Sequence, residues 1–373
     1  MKIVFVTTMS GAPWGGSEEL WSQAALRLAE KHHRIAASVV PWPTLSPKVA
    51  ELKDHGIEVF VRWSPALDLT ARVWRKIARS RPKDYEWMRK ISPDLVVISQ
   101  GGNSDGVEWM KFCSDEGLPF VAVLQCNGEW LWPGDELAGE MAAAYSAARK
   151  VFCVSRKNLE LLERQTGVNL SNAVIVRNPF NVSPDPPPPW PEGIDIWKLA
   201  CVARLEPAAK GQDLLFQVMA LPQWRDRPVQ VNLFGAGACE RSLRQLAERF
   251  QLNTVHFRDQ VTDVKSIWAA NHLLILPSRY EGLSLALVEA MWCRRPALIT
   301  DVGDNADLCL DGETGFVASA PTVTLLEQTL ERAWNCRREW QAMGKAARAR
   351  VEQLIPRDPI GDFCEQLMEC ASA

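Results

Sequence analysis

Residues 273–293 read Leu273-Leu-Ile-Leu276-Pro-Ser-Arg-Tyr-Glu281-Gly-Leu-Ser284-Leu-Ala-Leu-Val-Glu289-Ala-Met-Trp-Cys293. The run His272–Leu276, closed by Pro277, has the length and composition of a buried strand. Glu281 and Gly282 form a loop, and Ser284 is a residue type that caps helices. The helix predicted over Ser284–Cys293 is apolar on nearly every face and is expected to be buried. Glu289 is then out of place, because a carboxylate in a buried helix is costly unless something hydrogen-bonds it. Either an Arg or Lys pairs with it, or a ligand does. A ribose offers two adjacent hydroxyl donors that one carboxylate accepts together. The free N–H groups of Leu285 and Ala286 at the helix start favour a phosphate. Glu281 stands eight residues upstream, roughly 12 Å away if the span were helical, about the reach from a ribose across a diphosphate to a sugar. A solvated loop Glu together with a structural ion pair is the competing reading.

The same strand-then-helix pattern repeats on both sides. Strands are predicted at Leu199–Val202, Val229–Phe234, Val255–Arg258 and Ala297–Thr300, with helices over 212–220, 238–250 and 262–271. Earlier strands are Ile3–Thr7, Ile35–Val40, Val59–Trp63, Leu95–Ser99, Phe120–Leu124, Val151–Ser155 and Ala173–Val176, with helices over 18–31, 71–91 and 136–150. Short apolar strands alternating with helices predict parallel sheets covered on both faces. The fold class is therefore α/β, as two doubly wound Rossmann-like domains facing each other across a cleft. Residues 184–191, Pro-Asp-Pro-Pro-Pro-Pro-Trp-Pro, suit neither helix nor central strand and are read as a linker. This divides the chain into residues 1–183, a linker 184–196 and residues 197–356, with a last helix 357–373 expected to pack back on the first domain.

The 373 residues comfortably make two domains, and 47% apolar with 23% charged residues is an ordinary globular balance. A net charge of -3 excludes a global polycationic signature for nucleic acid. Ten Cys occur without C-x-x-C or zinc spacing, so they read as buried thiols. The apolar run Ile3–Val6 is too short for a signal-peptide core, and the expected location is cytoplasmic.

A diphosphate needs positive counter-charge, and the loop after Leu199–Val202 supplies Arg204 and Lys210. Gly235-Ala-Gly237 follows another strand, but Glu240 breaks a dinucleotide fingerprint, leaving a tight strand-to-helix turn. Gly11-Ala-Pro-Trp-Gly15-Gly16-Ser-Glu18 lies between the first strand and first helix, where paired glycines permit close backbone approach to a ligand. A plain flexible loop reads equally well.

The spacing of Glu281 and Glu289 is similar to the E-x7-E motif of family 4 retaining glycosyltransferases (glycosyl transferases group 1), which have the GT-B fold. The resemblance also takes in Gly15-Gly16, the Arg204/Lys210 loop, Gly235-Ala-Gly237, Phe257-Arg258 and Gly312-Glu-Thr-Gly315. It implies a hexosyltransferase that binds a nucleotide-diphosphate sugar in its C-terminal domain and a glycan or lipid-linked acceptor in its N-terminal domain, as in polysaccharide biosynthesis. Arg204, Lys210 and Glu281 would be catalytic. Gly16, Gly235, Arg258, Gly282, Leu283, Ser284, Leu285 and Glu289 would bind the donor. Gly15, Gln125, Asn127 and Glu129 would face the acceptor and sugar. No cofactor and no metal is implied. The family commonly carries a His after the strand corresponding to Phe120–Leu124; here Gln125-Cys126-Asn127-Gly128-Glu129 stands in its place. That departure leaves a catalytically weak sugar-binding homologue as an alternative; a UDP-sugar epimerase of the same fold is another, against which the poor His supply argues.

Residues 71–90 hold eight basic side chains, Arg72, Arg75, Lys76, Arg79, Arg81, Lys83, Arg89 and Lys90, against Asp84 and Glu86. Trp74, Tyr85 and Trp87 are interleaved. Such a helix suits peripheral contact with an anionic membrane. A solvated helix whose aromatic residues pack on the sheet is the competing reading.

Overall fold

The computed structural model describes residues 1–9, 13–62, 82–183, 185–193 and 195–372. Two compact units are present: Met1–Pro179 with Asp358–Ala373, and Phe180–Arg357.

The first unit holds strands β1 Lys2–Thr7, β2 Arg34–Val39, β3 Glu58–Val61, β4 Leu95–Gln100, β5 Phe120–Leu124, β6 Val151–Cys153 and β7 Ala173–Ile175. They form one sheet in the order β3-β2-β1-β4-β5-β6-β7, with every pairing parallel. Both faces are covered, which is why the central strands are apolar without alternation. Along β1, Ile3 and Phe5 pack with Leu20, Trp21 and Phe363, while Val4 and Val6 pack with Met88, Trp109 and Met110. The last helix, Pro359–Ser372, lies against helix Gly16–Glu30. Phe363 meets Phe152 edge-on at 5.1 Å, and Arg27 pairs with Asp358 at 2.6 Å. Full burial of Phe363 and Leu367 contributes roughly 1.5–3 kcal/mol each.

The second unit holds β8 Trp197–Val202, β9 Val229–Phe234, β10 Val255–Arg258, β11 Leu273–Leu276, β12 Ala297–Thr300 and β13 Gly315–Ala318. The order is β10-β9-β8-β11-β12-β13, again all parallel. Strand β13 was not expected. It is short and opens on Gly315, where a Cβ would lie 2.3 Å from the Ala297 carbonyl oxygen.

The boundary expected at residues 184–196 falls inside the second unit rather than between the two. Asp185 pairs with Arg348 and Arg357, both at 3.1 Å. The Pro189 carbonyl accepts from Arg295, whose guanidinium lies over Trp190. A proline-rich run needs few backbone partners of its own, so it can be strapped along a surface by side chains.

In each sheet the chain reverses its direction of travel once, between β1 and β4 and between β8 and β11. Loops leaving the carboxyl ends of such a strand pair diverge and leave a crevice for a ligand.

Candidate functional site

In the second unit, β8 and β11 release the loops 203–206 and 277–284. A one-turn helix Pro207–Lys210 closes the first, and Gly211 follows at φ +65°. A Cβ on Gly211 would lie 2.0 Å from the Pro277 carbonyl oxygen, so the two loops touch backbone to backbone. Arg279 strengthens the join. Its N–H donates to the Ala209 carbonyl, and its guanidinium forks onto Asp213 at 2.6 and 2.8 Å.

This join brings Lys210 and Glu281 together. Lys210 Nζ is 2.7 Å from Glu281 Oε1, with side-chain exposures of 17% and 10%. Ser278 Oγ donates to the same oxygen at 2.9 Å, and Thr300 Oγ1 fixes Ser278 by donating to its carbonyl at 2.5 Å. Glu281 Oε2 has no protein partner among the described residues. Arg204 stays apart from this cluster, half-exposed and 3.1 Å from Glu206. Exposed pairs contribute only ~0–1 kcal/mol, so Arg204 is easily drawn to another anion. Gln212, fully buried, donates to the Arg204 carbonyl at 2.7 Å.

Helix Leu285–Trp292 starts one residue after Ser284. The expected hydroxyl cap is absent: Ser284 Oγ makes no capping bond. Instead Asn305 Oδ1 accepts from the Ser284 N–H at 3.0 Å. The Asp304 N–H donates to the Gly282 carbonyl at 2.8 Å, and Gly303 takes φ +54° with its Cα against that carbonyl. Loop 301–305 therefore clamps loop 281–284 and leaves the amides of Leu285 and Ala286 without helical partners, a phosphate-ready end.

Glu289 is 4% exposed. Among the described residues neither Arg nor Lys pairs with it; the Asn181 N–H donates to its Oε1 at 2.9 Å. Burial pushes its pKa up to about 7, against which the Asn181 bonds work. The ion-pair alternative for Glu289 is thereby corrected, and Asn181, acting through its backbone and its side chain, leaves part of the carboxylate's accepting capacity unused. Arg258, at the end of edge strand β10, donates to Asn232 at 3.1 Å. Gly235, at φ +135°, lets the turn after β9 pass close to the β8 loop; a Cβ there would lie 2.2 Å from the Ala203 carbonyl oxygen. Leu283 sits half-buried between Gly282 and Ser284.

In the first unit, Gly15 precedes the helix that Gly16 opens. A Cβ on Gly15 would meet nothing closer than 3.9 Å, so the space above that backbone is open. Gly11 lies outside the described residues. Glu18, two residues on, is buried; burial pushes its pKa up, while the Thr7 hydroxyl (2.7 Å) and Trp21 Nε1 hold it by donating. Sequence reasoning passed over Glu18 as a site residue.

After β5, Gln125 Oε1 accepts from Asn178 Nδ2 at 2.8 Å. Gln125 Nε2 and Asn178 Oδ1 are buried without a partner among the described residues. Swapping the nitrogen and oxygen on both amides would still leave one donor and one acceptor over. Asn127 is fully committed: it donates to Gln165 Oε1 (2.8 Å) and the Asn158 carbonyl (3.3 Å) and accepts from Gly128 N–H (2.8 Å). Asn127 therefore shapes the loop, and the spare capacity belongs to Gln125. Glu129 is exposed.

Of the basic segment, residues 71–81 lie outside the described residues. Tyr85 stacks on Phe112 at 4.1 Å and Trp87 on Phe60 at 4.9 Å, while Arg89 pairs with Glu116 at 2.8 Å. Among the described residues no helix is long and apolar enough to cross a membrane, and no cluster of His, Cys, Asp and Glu has metal-holding geometry. His272 is structural: burial lowers its pKa to about 4, and it sits between Trp190 and Trp197.

Residues 197–335 match the sequence family Glycosyl transferases group 1. The D-rhamnosyltransferase WbpZ of Pseudomonas aeruginosa is 26% identical over 151 residues, 39% of this chain and 38% of that protein. A glycogen synthase of Pseudomonas fluorescens is 32% identical over 28% of this chain and 21% of its own length. The chain thus spans less than half the length of these curated relatives. Among solved structures, Anabaena HepE in complex with UDP and glucose superposes with a TM-score of 0.76 at 18% identity, over 99% of both chains. The sucrose-phosphate synthase of Thermosynechococcus elongatus gives 0.73 at 17%, over 99% and 98%. The chain has the GT-B fold, and residues 197–335 resemble the group 1 glycosyltransferases.

Proposed function

We propose that this protein is a metal-independent retaining glycosyltransferase that moves a hexose from a nucleoside-diphosphate sugar to a glycan or lipid-linked acceptor. The observation that carries the reading is the clamped loop 281–284, which presents a free helix start between half-buried Glu281 and buried Glu289. The diphosphate takes the amides of Leu285 and Ala286. The ribose hydroxyls donate to Glu289, and Arg258 borders the base. Glu281 uses Oε1 for Lys210 and Ser278 and keeps Oε2 for a hydroxyl of the donor sugar.

Two cations serve the departing diphosphate. Arg204 leaves its exposed partner Glu206 for the phosphate, and Lys210 is held in place by Glu281. Charge grows on the diphosphate as the glycosidic bond breaks, so fixed positive groups stabilise the transition state more than the bound donor. In the first unit, the bare backbone at Gly15 and Gly16 and the spare donor of Gln125 are offered to sugar and acceptor groups. Gln125 accepts no proton, so the acceptor proton goes to the leaving phosphate or to Glu129. Retention rests on the resemblance of Glu281 and Glu289 to the E-x7-E motif, and the expected location is the cytoplasm or the inner membrane surface.

The test is release of nucleotide from UDP-, GDP- and ADP-hexoses in excess EDTA, with the anomer of any transferred sugar read by proton NMR. Turnover of one donor class with its α-configuration kept supports the reading. No turnover of any donor, or an inverted product, overturns it.

A further inference from the structure

Asn305 is fully enclosed, and its side chain is used at one end only. Its Oδ1 accepts from the Ser284 N–H at 3.0 Å, the bond that ties loop 281–284 to loop 301–305. That bond settles which end is which: an N–H donor requires the oxygen, so the nitrogen is the end left over. Asn305 Nδ2 is buried and meets no acceptor among the described residues. The backbone is committed on both sides. The Asn305 N–H donates to the Val302 carbonyl at 3.3 Å, and the Asn305 carbonyl accepts from the Cys309 N–H at 2.9 Å. A buried donor in this position has lost its hydration without gaining a bond.

The place of that nitrogen says what it awaits. The two ends of a carboxamide are about 2.3 Å apart, so Nδ2 lies within about 5 Å of the Ser284 nitrogen. Ser284 immediately precedes helix Leu285–Trp292, whose Leu285 and Ala286 N–H groups have no helical partners. Ser284 is itself buried, and its hydroxyl makes no hydrogen bond among the described residues. Two backbone amides, a hydroxyl and a carboxamide are thus gathered at one helix start, all with a proton to donate.

The acids nearby are largely answered by other groups. Glu281 is met by Lys210 and Ser278, Asp301 and Asp304 have partners of their own, and Asp307 is exposed. The donors are the groups left without partners. A group rich in lone pairs and carrying no proton of its own suits them, and a phosphate is such a group; a water or a sugar hydroxyl brings a proton that needs a further acceptor. We propose that Asn305 works at both ends: Oδ1 sets the loop, and Nδ2 donates to a phosphate oxygen of the nucleoside diphosphate, with the Ser284 hydroxyl as a second side-chain donor. The same side chain then ties phosphate occupancy to the position of the loop that carries Glu281. This rests on the transferase reading for the word nucleoside; the phosphate contact itself stands on the idle donors.

The test is NMR of the whole protein labelled with nitrogen-15 asparagine, titrated in excess EDTA with inorganic pyrophosphate, with UDP, GDP and ADP, and with their nucleosides. The Asn305 carboxamide signal is identified by its loss in Asn305→Asp and Asn305→Ala. It should move with pyrophosphate and with one nucleoside diphosphate, and stay in place with the matching nucleoside. Asn305→Asp keeps the oxygen that accepts from Ser284 and turns the donor into an acceptor. Calorimetry of that variant should show nucleoside diphosphate bound about tenfold or more weakly, with nucleoside affinity unchanged. Ser284→Ala should weaken the same ligand several-fold, a measurement that stands even if Asn305→Asp fails to fold. A carboxamide signal that stays in place while nucleoside diphosphate binds overturns the proposal alone, and so does parental affinity in Asn305→Asp or Ser284→Ala; Asn305 is then a clamp whose Nδ2 holds water. Pyrophosphate that moves the signal when no nucleoside diphosphate binds overturns the transferase reading alone. Binding of neither overturns both.

Discussion

Lys210 Nζ stands 2.7 Å from Glu281 Oε1, across the two loops that leave β8 and β11. Both side chains are largely withdrawn from water, so removing one partner strands the other. Lys210→Met should therefore cost about 3 kcal/mol of stability. The double variant Lys210→Met, Glu281→Gln should recover most of that loss, because no charge is left uncompensated. Denaturant unfolding of the four proteins checks this cycle. Additive losses would show that the pair is not coupled.

Glu289 gives a pH signature. Its folded pKa, near 7, lies above the ordinary 4.5, so the folded state holds its proton more tightly. That contribution is fully present below about pH 4.5 and is lost as pH rises through 7. Glu289→Gln should be more stable than the parent at pH 8, by up to about 3 kcal/mol, with the gap closing towards pH 5 in denaturant unfolding. A gap that does not vary with pH contradicts the assignment. The same variant should bind nucleotide more weakly, which a merely structural carboxylate would not require.

Arg204 and Lys210 are proposed to act on developing charge. Arg204→Ala should lower kcat by about a hundredfold or more while donor affinity changes much less. Exposed Arg338→Ala serves as the control. Equal losses in both would contradict a role in the transition state.

Gly303 clamps the loop that carries Glu281. Its φ of +54° and the 2.1 Å approach of a Cβ to the Gly282 carbonyl oxygen leave no room for Ala. Gly303→Ala should lower stability by about 1–3 kcal/mol and weaken nucleotide binding through the displaced loop. Unchanged unfolding would show that the clamp is loose.

Much of this architecture could be read before any coordinates. Strands buried on both faces, such as Leu95–Gln100, announce themselves as unbroken apolar runs. Helix Arg156–Thr166 escaped because its exposed face is strongly polar and few residues, such as Leu161 and Leu162, mark its buried side. Within the site, Arg204, Lys210, Glu281 and Glu289 were legible as residue types at telling places. Their partners were not: Lys210 meets Glu281 from 71 residues away, and Asn181 meets Glu289 from 108. The clamp by Asn305 and the idle Gln125–Asn178 amides likewise depend on contacts that no local pattern encodes.

Direct titration of the protein with UDP, GDP and ADP in excess EDTA, followed by calorimetry, bears most directly on the central claim. The account predicts that one of the three binds without metal, and that Glu289→Gln and Lys210→Met each weaken it about tenfold or more. No binding by any of them, binding only when magnesium or manganese is restored, or parental affinity kept in either variant would contradict it.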